Sequence, residues 1–182
     1  MRLFVAIRIP ETIREELVTL QKKIGNDYAK IKWVEQDNMH MTLKFLGDVD
    51  EDKTALVRQS LNSVEYESFG AEFSGTGGFP GESYIRVIWA GLEPADRISG
   101  LHETIEESLY SLGFPRDKKF SPHVTLGRVR FVMDKKALSD AVLSTGSFRS
   151  AEFPVNEFFL IKSTLTPEGP VYENLSGFSL EG

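Results

Sequence analysis

Cysteine is absent from this chain, which removes disulfides, thiolate nucleophiles and Cys-ligated zinc at one stroke. The absence fits a reducing compartment. Long apolar runs are also missing. Nothing approaches the ~18 residues of a membrane span, and Met1-Arg2-Leu3-Phe4-Val5-Ala6-Ile7-Arg8 is too short an apolar stretch for a signal peptide. A soluble cytoplasmic protein with no membrane partner is expected. Positive charge is in deficit, 21 Lys and Arg against 27 Asp and Glu for a net −6. A general nucleic-acid coat protein, which needs many phosphate contacts, is therefore disfavoured. There is no Gly-x-Ser-x-Gly elbow and no His-Glu-x-x-His array, so the sequence signs of a serine nucleophile or a zinc protease are missing.

Histidine is scarce as well, and its placement is informative. Two of the three histidines open the same pattern, His40-Met41-Thr42-Leu43 and His123-Val124-Thr125-Leu126. With 10 Thr and 18 Leu in 182 residues, a given His carries both by chance about once in two hundred cases. The third, His102, falls inside a helical pattern and reads as a surface or half-buried helix residue. Charge is uneven around the second motif. Pro115 to Arg130 holds Arg116, Lys118, Lys119, Arg128 and Arg130 against Asp117, a local excess that suits an anionic ligand.

A chain of 182 residues suits one domain, 1–182, burying roughly 70% of its unfolded surface. Leu3 to Ile9 reads as a buried strand. Pro10 opens a helix whose Ile13, Leu17, Leu20 and Ile24 form one stripe ending at Gly25. Ile31 to Val34 is a short strand with Trp33, and Met39 to Leu46 a second one. In that second strand Met41, Leu43 and Phe45 have core parity, while His40, Thr42 and Lys44 line the accessible face. An acidic start at Asp50 leads to a helix through Val57, Leu61 and Val64. Phe69 to Phe79 is a glycine-broken strand, and Tyr84 to Leu92 a strand with Trp89. Both tryptophans read as core. Pro94 opens a helix with Ile98, Leu101, Ile105, Leu109 and Leu112, closed by Gly113. His123 to Phe131 is a strand, and Asp134 caps a short helix through Leu143. Strands follow near Phe148–Phe153, Glu157–Thr164 and Val171–Leu180.

The order strand, Pro-led helix, connector, His strand, helix occurs twice, at an offset of almost half the chain. That predicts two similar lobes related by a pseudo-twofold, with the His strands side by side or across a shared cleft. Each His and its Thr share a face, roughly 6–7 Å apart along the strand. Two imidazoles that titrate near neutrality suit paired acid–base catalysis, and hydroxyls suit the non-reacting oxygens of a phosphate. No metal site is expected.

At these residues the chain resembles the 2H phosphoesterase superfamily, and most of all its RNA 2′,3′-cyclic phosphodiesterase (LigT-like, 2′-5′ RNA ligase) branch. The likeness runs from Arg2-Leu3-Phe4-Val5-Ala6-Ile7 through Asn38-Met39-His40-Met41-Thr42-Leu43-Lys44-Phe45-Leu46-Gly47, Gly78-Phe79-Pro80, Trp89-Ala90-Gly91, Gly113-Phe114 and Pro122-His123-Val124-Thr125-Leu126-Gly127-Arg128. It ends with Ser163-Thr164-Leu165-Thr166-Pro167 and Gly169-Pro170-Val171-Tyr172-Glu173. The resemblance implies a bilobal α+β fold, with pseudo-twofold antiparallel sheets, outer helices and a central cleft. It implies metal-independent, cofactor-free opening of an RNA 2′,3′-cyclic phosphate to a 2′-phosphate, with RNA ends or short oligonucleotides as partners and the protein a monomer. By position, His40 would be the proton donor, His123 the base, and Thr42 and Thr125 phosphate ligands. Arg128 sits where the family often has a phosphate-contacting arginine. It has the opposite parity to His123, and a bulge near Gly127 would be needed to re-aim it. Phe45 is an aromatic placed to stack on a base.

The near-symmetry of the two motifs leaves the donor/base division open on the residues alone. Three other functions compete: RNA end joining through a 2′-5′ linkage, action on another cyclic or ADP-ribose-derived phosphate, and an RNA-end binding module without turnover. Anion binding without chemistry is better served by arginine than by paired histidines.

Overall fold

A computed structural model describes all residues 1–182. The apolar opening run forms β1 (Arg2–Arg8), followed by α1 (Glu11–Ile24), β2 (Ala29–Trp33), a 3₁₀ turn (Gln36–Asn38), β3 (His40–Asp48) and α2 (Glu51–Asn62). The chain continues with β4 (Phe69–Gly81), β5 (Tyr84–Glu93), α3 (Ala95–Tyr110), β6 (His123–Val132) and α4 (Lys135–Leu143). It closes with β7 (Phe153–Val155), β8 (Glu157–Thr166) and β9 (Gly169–Ser179). The helix starts obey the expected chemistry: Asp50 and Asp134 accept from the Lys53 and Ala137 backbone N–H groups. The strand expected near Phe148–Phe153 is mostly irregular, with a lone bridge from Ser74 to Arg149 before the short β7.

All strand pairs are antiparallel. One sheet has the order β3-β1-β8-β9 and the other β2-β6-β5-β4-β7. The α+β, two-sheet, four-helix architecture is the one expected, with strands exchanged between the two halves of the chain. Strand β2, from the first half, pairs with β6 of the second, and the C-terminal β8–β9 hairpin pairs back onto β1. A single cluster of 38 buried apolar residues runs through both sheets and all four helices. Helix α3 supplies Ile98, Leu101, Ile105 and Leu109, all fully buried, and packs against both β3 and β5. Helix α4 covers β4 and β5, and α1 lies on β6. No helix is long and apolar enough to cross a membrane.

The internal repeat is nevertheless held to the residue. In one sheet Arg8 faces His40, Ala6 faces Thr42, Val5 faces Lys44 and Phe4 faces Phe45. In the other Gly91 faces His123, Trp89 faces Thr125, Ile88 faces Gly127 and Val87 faces Arg128. The second set is the first advanced by the same spacing that separates His40 from His123. Both pairings skip one residue at the same place, Leu43 in β3 and Leu126 in β6. Each His-x-Thr-Leu motif therefore ends in a β-bulge.

Candidate active site

The bulges decide which side chains join the histidines. Before each bulge the alternation is regular: His40 and Thr42 are half-buried on one face while Met41 and Leu43 go into the core. The extra residue then reverses the parity. Lys44 turns inward, with its side chain 3% exposed, and Phe45 turns out, 74% exposed. This corrects the strand reading in which Lys44 lined the accessible face and Phe45 had core parity. In β6 the same device buries Leu126 and Gly127 together and returns Arg128 to the exposed face that carries His123 and Thr125. Arg128 thus meets the condition its sequence position required. Gly127 is the residue that allows this: a Cβ there would stand 2.6 Å from the Trp33 ring and 2.8 Å from Ile31.

Both imidazoles are tethered alike. The His40 Nδ1 lies 3.2 Å from the Asn38 carbonyl, and the His123 Nδ1 lies 2.6 Å from the Ser121 carbonyl. A carbonyl only accepts, so each Nδ1 donates its proton and Nε2 is left as the working nitrogen. Both rings are also walled edge-on by aromatics. His40 meets Tyr172 and Phe4 at 5.5 and 6.2 Å between centroids. His123 meets Phe79 and Trp89 at 5.1 and 6.4 Å. Trp89 therefore belongs to the wall of the site rather than to the core, and its ring lies flat over Gly77, where any side chain would collide with it.

The two halves meet around Tyr172. Strands β3 and β6 lie against each other, and the Asn38 side-chain amide donates to the Pro170 carbonyl at 3.2 Å, holding the start of β9 beside His40. Tyr172 touches the His40 ring. Its phenol pKa is pushed up by burial, against the opposing field of Arg128 from the other sheet. The face with Phe4, Ala6, Ile161, Phe159 and Tyr172 forms a small apolar cluster separate from the main core.

His40 is held below the usual imidazole value, first by burial, then by the Arg8 and Arg14 cations, with the Asn38 carbonyl opposing. Arg8 sits directly opposite His40 in the sheet and over the Phe159 ring. Arg8, Tyr172, Phe79 and Trp89 were missed at the level of sequence. Only strand register brings them to the site, and register is not written in any local pattern.

One trio of side chains is close enough to chelate a cation: His102, Glu106 and Asp117. The Lys44 ammonium already occupies it, paired with Glu106 and 3.3 Å from Asp117. His102 is buried, not superficial: it contacts Asp117 at 3.0 Å and stacks on Phe120 at 3.9 Å. A surface depression of about 890 Å³ lies over this region between α3 and the loop 116–120, and neither His40 nor His123 lines it.

Two sheets each contribute one bulged His-x-Thr strand, and these two strands lie against each other. The chain belongs to the LigT-like phosphoesterase family, whose model matches residues 7–89 and 92–172. It is 40% identical over 173 residues to the RNA 2′,3′-cyclic phosphodiesterase of Methanocaldococcus jannaschii, covering 95% of this chain and 97% of that protein. Among solved structures it is similar to TT0787 of Thermus thermophilus, with a TM-score of 0.83, 33% identity and coverage of 100% and 99%. It is also similar to E. coli LigT complexed with 3′-AMP, with a TM-score of 0.78, 26% identity and coverage of 98% and 97%.

Proposed function

We propose that this protein is an RNA 2′,3′-cyclic phosphodiesterase that opens the cyclic phosphate at an RNA end to a 2′-phosphate by paired-histidine acid–base catalysis, without a metal. The observation that carries this reading is the matched pair of imidazoles, each with Nδ1 tied to a backbone carbonyl and Nε2 left to work. Relatives of this chain named for that activity support it.

In the proposed reaction His123 Nε2 takes a proton from water as the water oxygen bonds to phosphorus. The P–O3′ bond breaks, and the His40 Nε2 proton passes to the departing 3′ oxygen. The product carries a 2′-phosphate and a 3′-hydroxyl. Proton exchange with solvent then resets both rings. Thr42 and Thr125 donate to the non-bridging oxygens, and Arg8 and Arg128 offset the charge that grows there. The lowered pKa of His40 opposes a donor role in the empty site. A bound phosphate anion raises it again, since a nearby negative charge favours the imidazolium. Phe45, exposed beside Phe4 at 6.1 Å, offers its ring to the terminal base. Both histidines come from one chain, so a monomer suffices.

The test is mass spectrometry of the products from a short RNA with a 2′,3′-cyclic phosphate end, in EDTA. A single mass gain of water with the phosphate at 2′ is expected. Unchanged substrate, or turnover that stops with EDTA and returns with a divalent ion, overturns the reading. Adding a 5′-hydroxyl acceptor reports whether the same groups run in the joining direction.

A further inference from the structure

The face of the second sheet that carries His123 and Thr125 does not end at Arg128. Lys32 on β2 stands directly opposite Arg128, and Lys30, two residues along β2, stands opposite Phe131. Directly opposed residues of antiparallel strands share a face, so Lys30, Lys32 and Phe131 continue the surface that carries His123, Thr125 and Arg128. A further bulge leaves Arg130 unpaired between Val129 and Phe131. On the other flank of β6, a bulge at Arg86 puts that arginine beside Tyr84. The Arg86 guanidinium donates to the Tyr84 hydroxyl at 2.9 Å, and Lys135 Nζ lies 5.5 Å from the same ring.

Two features set this surface apart. First, Lys30, Lys32, Arg86, Arg128, Arg130 and Lys135 are all exposed, and none forms a salt bridge. On a chain with net charge −6, six unneutralised cations on one connected surface make a local field opposite to that of the whole. The acidic neighbours in sequence are Asp27 and Glu35, which flank β2, Glu82 in the β4–β5 turn, and Asp134, whose carboxylate is engaged as the α4 cap. Second, large apolar rings are interleaved with the cations in full view of solvent: Phe131 is 64% and Tyr84 48% exposed. Cations that follow a phosphate backbone, with rings on which bases stack, are the chemistry of single-strand binding.

We infer that this surface, from Arg128 outward across Lys32, Lys30 and Phe131, binds the nucleotides that precede the cyclic-phosphate end of a single-stranded RNA. The inference rests on the cyclic-phosphate reading of the cleft and deepens it: the preferred substrate is an oligonucleotide, not a mononucleotide. The terminal phosphate is held between the histidines, and the chain leaves the cleft along β6. That strand carries Phe131 on the order of 20–25 Å beyond His123, long enough for a short run of nucleotides.

The experiment compares two substrates, a nucleoside 2′,3′-cyclic monophosphate and a single-stranded RNA of about ten nucleotides with the same end. It uses the wild type, the double variant Lys30→Ala/Lys32→Ala, and Phe131→Ala. For the double variant, KM for the oligonucleotide is expected to rise about tenfold at low salt with kcat held. Its log KM against log salt slope should fall by about 1.4, the loss of two single-strand phosphate contacts. Phe131→Ala should raise KM about fivefold or more and leave the slope unchanged. The mononucleotide should be turned over alike by all three proteins. Equal KM for the oligonucleotide in all three overturns the inference, and so does an equal rise for both substrates, which would mean the side chains act through the cleft. Fluorescence anisotropy with a linear oligonucleotide that cannot react separates the two readings. Binding lost in the double variant while no protein turns over a cyclic phosphate overturns the catalytic reading and keeps the track. Normal turnover with unaltered binding overturns the track alone. Polyglutamate that displaces the oligonucleotide as well as RNA of equal charge does would point to an acidic protein and overturn it too.

Discussion

Lys44 and Glu106 form an ion pair whose side chains are 3% and 4% exposed, and they belong to different halves of the chain. Lys44 sits on the strand that begins with His40, and Glu106 on the helix that precedes His123. The same ammonium donates to the Pro115 carbonyl at 2.9 Å and lies 3.3 Å from Asp117, while the Asp117 backbone N–H donates to Glu106 at 2.8 Å. The loop leading into His123 is thereby tied to the strand carrying His40. Lys44→Met leaves a buried carboxylate without its cation and should destabilise the fold by about 3–5 kcal/mol. Urea unfolding measures it. The double variant Lys44→Met/Glu106→Met should recover much of the loss, because it removes the orphaned charge as well as its partner. A double variant no more stable than Lys44→Met would show that the pair is not the source of the loss.

His40→Ala and His123→Ala should each lower kcat by about 10²–10⁴-fold. Their combination should be little worse than either alone, as expected of two rings that act on one reacting group in the proposed mechanism. Single-turnover rates on the cyclic-phosphate RNA report this. Multiplicative losses in the double variant would mean the rings serve separate steps.

The lowered pKa of His40 gives the pH dependence its sign. In its proposed role as the acid, His40 must be protonated in the free enzyme for kcat/KM, so the alkaline limb should inflect below 6.5. Arg8→Met removes a cation that lowers this value, and the alkaline limb should move upward. Movement of the acid limb instead would exchange the roles of His40 and His123. The same shift acts on stability. The unfolded chain takes up this proton more readily than the folded one, so the contribution is full above 6.5 and is lost as pH falls through the His40 value. His40→Gln should flatten the fall in urea midpoint over that window.

Phe45→Ala should raise KM without destabilising the protein. Its ring is 74% exposed, so little core packing is at stake, whereas loss of base stacking is worth about 1–3 kcal/mol, roughly five- to hundredfold in KM. Thermal unfolding beside steady-state kinetics checks both halves of the statement. A lower melting point with unchanged KM would make Phe45 a packing residue.

The helices were legible because their stripes and caps are local. Ile13, Leu17, Leu20 and Ile24 declare α1, and Asp50 and Asp134 declare the starts of α2 and α4. The candidate histidines and threonines stood out because the motif occurs twice. What lay hidden was everything that depends on register. Strict alternation placed Lys44 outside and Phe45 inside, and a single extra residue at Leu43 reversed both. Trp89 looked like core because tryptophans usually are, yet its pairing with Thr125 puts it on the site face. His102 looked superficial because the acidic partner that buries it, Asp117, is fifteen positions away in a loop.

The loan of β2 to the far sheet, and the return of β8–β9 to the near one, bind the repeated units into something indivisible. A cut in the connector between α2 and β4 would strand β2 without its neighbour and strip β1 of β8, exposing raw hydrogen-bonding edges on both pieces. Neither fragment could then present even its own imidazole on a finished sheet. Activity from a split chain should appear only on mixing, as the two pieces knit their strands together.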